Sequence, residues 1–327
     1  MGIADKSRLT FLRRLCVLPA FVALWSLHVV AQQLPVTLFI TDTTFTPYPL
    51  CIGSSTDPLY TTIVHPPLAP EWHSMVTNIP SDIRLLGSSM VEKKNLPLLA
   101  GVVLATIGLR TVDTQIWDWT KPNIPRHKSS SSFNRYLVEI GDGRTHFGIA
   151  GAFAAYGFIS DDHRALRTAS QTVEAILVTG FVVQVIKRMT GKESPAAAGS
   201  PDGIWRPFPA FHNYERHPSR YYSFPSGHTA TTMALITVIS QNYPEWKWFK
   251  PVGFTLLGLV EIGLINAGMH WLSDFPLAMV LGYTCGMIVS ERGISQEDGI
   301  PIDHNSTITF RPVLTPVGPA VGVSLCF

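Results

Sequence analysis

The sequence predicts an all-α fold: an antiparallel bundle of six helices, preceded by an irregular arm and followed by a β-hairpin. Three observations predict it. Apolar residues make up 46% of the 327-residue chain and gather into six segments of helical length. Charged residues are 15% and mean hydropathy is +0.20, enough for a sizeable core and low for a chain made mainly of lipid-facing spans. Two long connections rich in Pro, Gly and aromatics separate the segments.

Taken in order, the first element is a targeting segment. Basic residues up to Arg13-Arg14 precede an apolar stretch from Leu15 to Ala31, with a small-residue exit at Val30-Ala31, so residues 1–31 read as a signal peptide and the alternative is an uncleaved anchor. Either form routes the chain to the cell envelope, with a periplasmic location expected. Residues 32–94 hold "TPYPL", "HPPLAP" and "NIPSD" and read as an extended arm with short helical pieces around Glu71 to Val91. Six helices are then expected at Leu96–Leu109, Thr145–Ile159, Ala169–Ile186, Thr229–Ser240, Val252–Met269 and Phe275–Ser290, all within a domain of residues 95–292. Arg110–Arg144, with "KPNIPRHKSSSSFNR", and Arg188–Ser223, with "SPAAAGSPDGIWRPFPAF", read as loops, the second as a lid. Residues 293–327 alternate apolar and polar side chains around Val317-Gly318 and read as a strand pair.

Composition excludes some classes of function. A formal charge of +2 without a basic stripe gives no footprint for nucleic acid. Four cysteines, Cys16, Cys51, Cys285 and Cys326, become three once the signal is removed and form no disulfide framework. Most of the apolar runs are shorter than the ~20 residues a span needs, and Gln171, Glu174, Gln184 and Glu261 interrupt two of the longer ones. A soluble or membrane-peripheral bundle is therefore expected. It also avoids a topological conflict, because six true spans after a cleaved signal would put the motif-bearing face in the cytoplasm.

The chemistry starts at "YYSFPSGHTATTMALITV", Tyr221 to Val238. Pro225-Ser226-Gly227-His228 opens a helix, where free backbone N–H groups and the positive end of the macrodipole attract anions. Gly227 permits close approach of an oxyanion, Ser226 offers a hydroxyl donor, and His228 can protonate a leaving group. The plain alternative is a Ser N-cap on an ordinary helix. Lys187 ends the third helix, and His270 and Asp274, spaced i and i+4 near the end of the fifth, are expected on one helical face with the carboxylate fixing the imidazole tautomer. In an antiparallel bundle these three stretches meet at one end.

These residues resemble the type 2 phosphatidic acid phosphatase superfamily, which includes bacterial acid phosphatases and vanadium haloperoxidases. Its motifs are Lys, six residues, Arg-Pro; then Pro-Ser-Gly-His; then Ser-Arg, five residues, His, three residues, Asp. Lys187, Pro195, Pro225, Ser226, Gly227, His228, His270 and Asp274 match in register, over a resemblance spanning roughly Leu96 to Arg292. The two motif arginines do not match: Ser194 and Leu264 stand there, with Gly263 at the serine. The resemblance implies a phosphatase needing no cofactor or metal, with His270 as nucleophile, Asp274 supporting it and His228 as the acid. Lys187, Ser226 and Gly227 would hold phosphate oxygens, with loop cations such as Arg188, Lys192 and Arg220 available to replace the arginines. The implied substrate is a phosphorylated lipid or small-molecule phosphate or pyrophosphate, reached in contact with a membrane surface. Two alternatives stay open: a non-catalytic phosphate- or lipid-binding envelope protein, and a vanadium-dependent haloperoxidase.

Overall fold

The computed structural model describes residues 70–123, 128–298, 307–315 and 318–326, so the expected signal segment 1–31 and the arm through residue 69 lie outside the described residues. Residues Pro67–Ile294 make one compact unit, mostly helical. After a single turn at Ser74–Thr77 come α1 (Ile79–Val91), α2 (Leu96–Asn123), α3 (Lys128–Ile140), α4 (Gly143–Ser160) and α5 (His163–Thr190). The short α6 (Phe211–Arg216), α7 (Gly227–Asn242), α8 (Phe249–Asn266) and α9 (Phe275–Asp298) follow. A second unit carries two strands, Thr307–Thr315 (β1) and Gly318–Cys326 (β2), paired antiparallel from Thr307 opposite Cys326 to Thr315 opposite Gly318.

The six expected segments fall in α2, α4, α5, α7, α8 and α9, but the helices are longer and more numerous than six. The stretch Arg110–Arg144 is largely helical instead of loop. Asp113, Ile116 and Thr120, at i, i+3 and i+7, bury one face of α2, and Leu137 does the same for α3. Pro122 lies in the last turn of α2, and Pro125 lies outside the described residues. The fifth segment stops at Asn266, three residues before the expected Met269.

Four stretches are long and apolar enough to cross a membrane: Lys93–Thr120, His163–Thr190, Phe249–Asn266 and Leu272–Arg292. This corrects the expectation of runs too short to span. Of the interrupting polar residues, Gln171, Glu174 and Glu261 are buried in the protein and the exposed Gln184 is hydrogen-bonded, which is why they do not forbid a span. Gln171 donates to the carbonyls of Val289 (3.2 Å) and Ser290 (3.4 Å) and accepts from Asn242, and Glu174 lies 3.8 Å from Arg292. Gln184 accepts from the Tyr214 hydroxyl. Only 6% of the apolar window of α2 is buried in the protein, against 67% for Leu272–Arg292, and Val103, Leu104 and Ile107 stand exposed on α2. A helix that apolar and that exposed is matched to lipid, so the chain is membrane-associated.

At the centre, α7 is buried along most of its length. It is crossed closely by α9, where a Cβ on Gly282 would lie 2.1 Å from the Ala230 carbonyl oxygen and one on Gly286 2.6 Å from Thr237. Two glycines four apart thus let the backbones touch. Asp142 caps α4 by accepting from the Arg144 N–H, and Asp162 caps α5 by accepting from that of Ala165. Gly191, left-handed at φ 54°, stops α5 just after Lys187 and Arg188.

Candidate active site

The end of α5, the start of α7, the link from α8 to α9 and the end of α2 come to one place. Three backbone bonds hold the loops in register: Ser223 N–H donates to the Lys192 carbonyl, Ser226 N–H to that of Asp274, and Ala196 N–H to that of Gly268. Gly268 makes the turn out of α8 at φ 68°, in a space where a Cβ would lie 2.7 Å from Trp117 and 2.9 Å from Ala196. The loop 191–223 is itself ordered, since Lys192 bridges to Trp205 on one side and to Tyr222 on the other.

His270 and Asp274 do not share a helical face, contrary to the expectation from their spacing. Helix α8 ends at Asn266, His270 lies in the following turn, and Asp274 closes a 3₁₀ turn at Leu272–Asp274. The imidazole Nδ1 is 2.7 Å from the Ser223 carbonyl oxygen and 3.5 Å from Asp274 Oδ2. A carbonyl can only accept, so Nδ1 carries the proton and Nε2 keeps its lone pair. That Nε2 is buried and has no hydrogen-bond partner among the described residues. Burial first of all, then the neighbouring Lys187 ammonium, hold His270 below its ordinary pKa, while Asp274 and the Ser223 carbonyl oppose them. The ring is therefore a neutral imidazole with a free nitrogen.

Asp274 is fully buried. Its Oδ2 accepts from Ser223 Oγ (2.5 Å) and Trp271 N–H (2.8 Å), and its Oδ1 from Lys192 Nζ (2.7 Å). The other expected acid, His228, stands across from His270 with ring centroids 6.3 Å apart. Its Nε2 is 4.0 Å from Asp142 Oδ2 at the α4 N-terminus, and the Arg144 hydrogen bond holds Asp142 below the usual carboxylate range. Burial, with His270 and Lys187 adding to it, lowers His228 to about 4, so the imidazolium is disfavoured until a negative group enters.

Among the expected phosphate contacts, Ser226 is the N-cap of α7: its Oγ accepts from the Thr229 N–H at 3.3 Å, leaving the hydroxyl hydrogen to donate elsewhere. Gly227 faces Lys187, whose Nζ would be 3.7 Å from a Cβ placed there. That ammonium is buried, lies 5.0 Å over the Tyr222 ring and makes no ion pair among the described residues. Arg188 stacks 3.6 Å from the centre of the Phe211 ring, with one buried guanidinium nitrogen unpartnered. Arg220 is exposed on a 3₁₀ turn. Lys192 points away from this group and into the ion pairs beneath Asp274.

The two departures from the arginine pattern have structural counterparts. Ser194 N–H and Oγ both donate to the Ser219 carbonyl, fixing the turn that carries Arg220. Leu264 is fully buried, and a Cβ on Gly263, at the serine position, would come within 2.9 Å of Leu137 on α3, so α3 packs closely against that turn of α8. Sequence reasoning missed Asp113, Asp142 and Ser223. Asp142 carried a signal, being an Asp ahead of a Gly and an apolar run, which marks a helix N-cap.

A family model described as the PAP2 superfamily matches residues 169–292. The segment 169–292 belongs to the PAP2 superfamily. Among relatives of this PAP2 segment, the lipid A 1-phosphatase of Porphyromonas gingivalis is 33% identical over 91 residues, 27% of this chain. The matched part spans only 20% of that relative's length. Among solved structures, Aquifex aeolicus LpxE aligns at 20% identity with a TM-score of 0.41, covering 55% of this chain and 95% of its own. A transmembrane PAP2-type phosphatidylglycerolphosphate phosphatase from Bacillus subtilis aligns at 14% identity and a TM-score of 0.41, covering 71% and 98%.

Proposed function

We propose that this protein is a membrane phosphatase that removes a phosphate from a lipid-linked substrate through a phosphohistidine on His270. The carrying observation is the lone pair on His270 Nε2: buried, unpartnered, and fixed by the Ser223 carbonyl on the opposite nitrogen. A nitrogen held in this way is an activated nucleophile. Nε2 attacks phosphorus while the bond from phosphorus to the leaving oxygen breaks, and His228 gives that oxygen its proton. A water molecule, giving its proton to His228, then attacks the phosphohistidine, breaking the P–N bond and releasing phosphate with His270 neutral again. Lys187, the Ser226 hydroxyl and the first N–H groups of α7 stabilise the equatorial oxygens. The substrate's negative charge offsets the desolvation that disfavours the His228 imidazolium.

The lipid assignment is supported by the apolar, exposed α2 and by the lipid phosphatase named among the relatives. The test is phosphate release by the purified protein in detergent, with chelator present, from phosphorylated lipids set beside soluble phosphate esters. Release from the lipids, lost in His270→Ala, is expected. Turnover only with an added divalent cation, or unchanged turnover in His270→Ala, contradicts the proposal.

A further inference from the structure

Behind the His270 ring lies a buried ionic network that the motif residues alone do not account for. Lys192 Nζ, with no exposed surface, donates to Asp274 Oδ1 (2.7 Å) and Ser273 Oγ (2.8 Å) and lies 3.7 Å from Asp113 Oδ2. Ser273 in turn donates to Asp113 twice, from Oγ (2.5 Å) and from N–H (3.0 Å). Asp113 comes from α2, a helix whose apolar window is largely exposed, and is itself buried. The array therefore holds two carboxylates against one ammonium. Loss of that ammonium leaves like charges facing each other in a low-dielectric setting, where one carboxyl must take up a proton.

We infer that Lys192, locked in place by Asp113 through Ser273, is a positioning residue that keeps Asp274 ionised and aimed at His270. The inference deepens the phosphohistidine reading and rests on it. Three groups hold the Asp274 carboxylate: Ser223 and Trp271 on the oxygen nearest His270, and Lys192 on the other. Lys192 is the charged member, so it decides the ionisation state while the neutral donors set the direction. A protonated Asp274 no longer supports the positive charge that builds on the ring as Nε2 attacks. The charged and titratable groups around His270 are Asp274, Lys187, His228 and Tyr222, with Lys192 and Asp113 behind them.

A charge-balanced pair of variants separates positioning from packing. Lys192→Met leaves the network with two carboxylates and no cation, whereas Lys192→Met with Asp113→Asn restores the net charge of the natural array. The expected result is a fall in kcat of about a hundredfold in Lys192→Met, a KM changed by less than about threefold, a displaced acid limb of the pH–rate profile, and recovery of about tenfold or more in the double variant. A double variant worse than the single, or kcat and pH profile unchanged in Lys192→Met, overturns the inference. An imidazole ¹⁵N spectrum of His270 gives a readout independent of turnover. The natural protein should show the Nδ1–H tautomer at neutral pH; as pH falls, the ring of Lys192→Met should protonate at a lower pH than that of the natural protein, and the double variant should return toward the first. Identical spectra overturn the positioning role even where both proteins turn over. Absence of turnover in the natural protein counts against the phosphatase reading alone and leaves the spectra to decide this one.

Discussion

The two sides of the His270 ring differ in how completely their polar atoms are satisfied. Behind it, Asp274, Lys192, Ser273, Asp113 and Ser223 partner one another at distances of 2.5 to 3.7 Å, with no exposed surface on the Lys192 and Asp274 side chains. In front, among the described residues, His270 Nε2 and an Arg188 nitrogen have no hydrogen-bond partner, and the Lys187 ammonium lies over an aromatic face without an ion pair. Buried polar groups are normally paired, because an unpaired one costs the desolvation it never recovers. On the proposed mechanism the rear array is scaffold, and the front supplies the donors and the nucleophile. Substitutions at the rear should therefore cost stability, and substitutions at the front should cost activity while sparing it.

The strongest break in this comparison is Lys187→Met. It removes a buried, unpaired cation, so kcat/KM should fall by about 10²–10³-fold while Tm holds or rises. A loss of activity tracked by an equal loss of Tm would show that the ammonium belongs to the scaffold. At the rear, Ser223→Ala deletes a donor to the buried Asp274 and should lower unfolding free energy by about 1–3 kcal/mol in denaturant titrations, together with activity. Unchanged stability there would erase the distinction between the two sides.

At the rim the effect shrinks. Arg220 is presented by the turn that Ser194 fixes, and Arg220→Gln should lower kcat/KM by about tenfold, the effect of ~1.4 kcal/mol. Identical kinetics would leave phosphate binding to Lys187, Ser226 and the α7 N-terminus. A separate test, of stability against pH, concerns His146, fully buried beside Thr232 under His228 and lowered by burial from its ordinary 6.5 to about 4. The unfolded chain takes up this proton first as pH falls, so the stabilising contribution is whole above pH 6.5 and is lost progressively toward pH 4. It amounts to on the order of 3 kcal/mol. Stability measured from pH 7 to 4 should fall more steeply in the natural protein than in His146→Gln, and parallel curves would contradict the assignment.

Much of this was legible in the sequence, for reasons tied to particular residues. Helices α5, α7 and α9 announce themselves because long apolar runs lie between clear stops such as Gly191 and Pro225. Lys187, His228, His270 and Asp274 were identifiable because their motifs are local and keep their spacing. The α2–α3 region was not, since Lys121 to Lys128 is rich in breakers and the burial of Asp113 and Leu137 depends on distant partners such as Ser273 and Gly263. The relation of His270 to Asp274 misled for another reason: i and i+4 spacing fits a helix and a turn alike, and Gly268 makes it a turn. Asp113 could not be found at all, because its partners Ser273 and Lys192 are set by tertiary packing.

The central claim is that His270 becomes covalently phosphorylated, and trapping the phosphoenzyme tests it most directly. Brief reaction with a ³²P-labelled lipid phosphate, in chelator and with rapid quenching, should label the protein with an acid-labile, base-stable phosphate, mapped by peptide analysis to His270 and absent from His270→Ala. An acid-stable label, a label on another residue, or steady turnover with no trapped phosphate in His228→Ala, where breakdown of the intermediate is slowed, would contradict it.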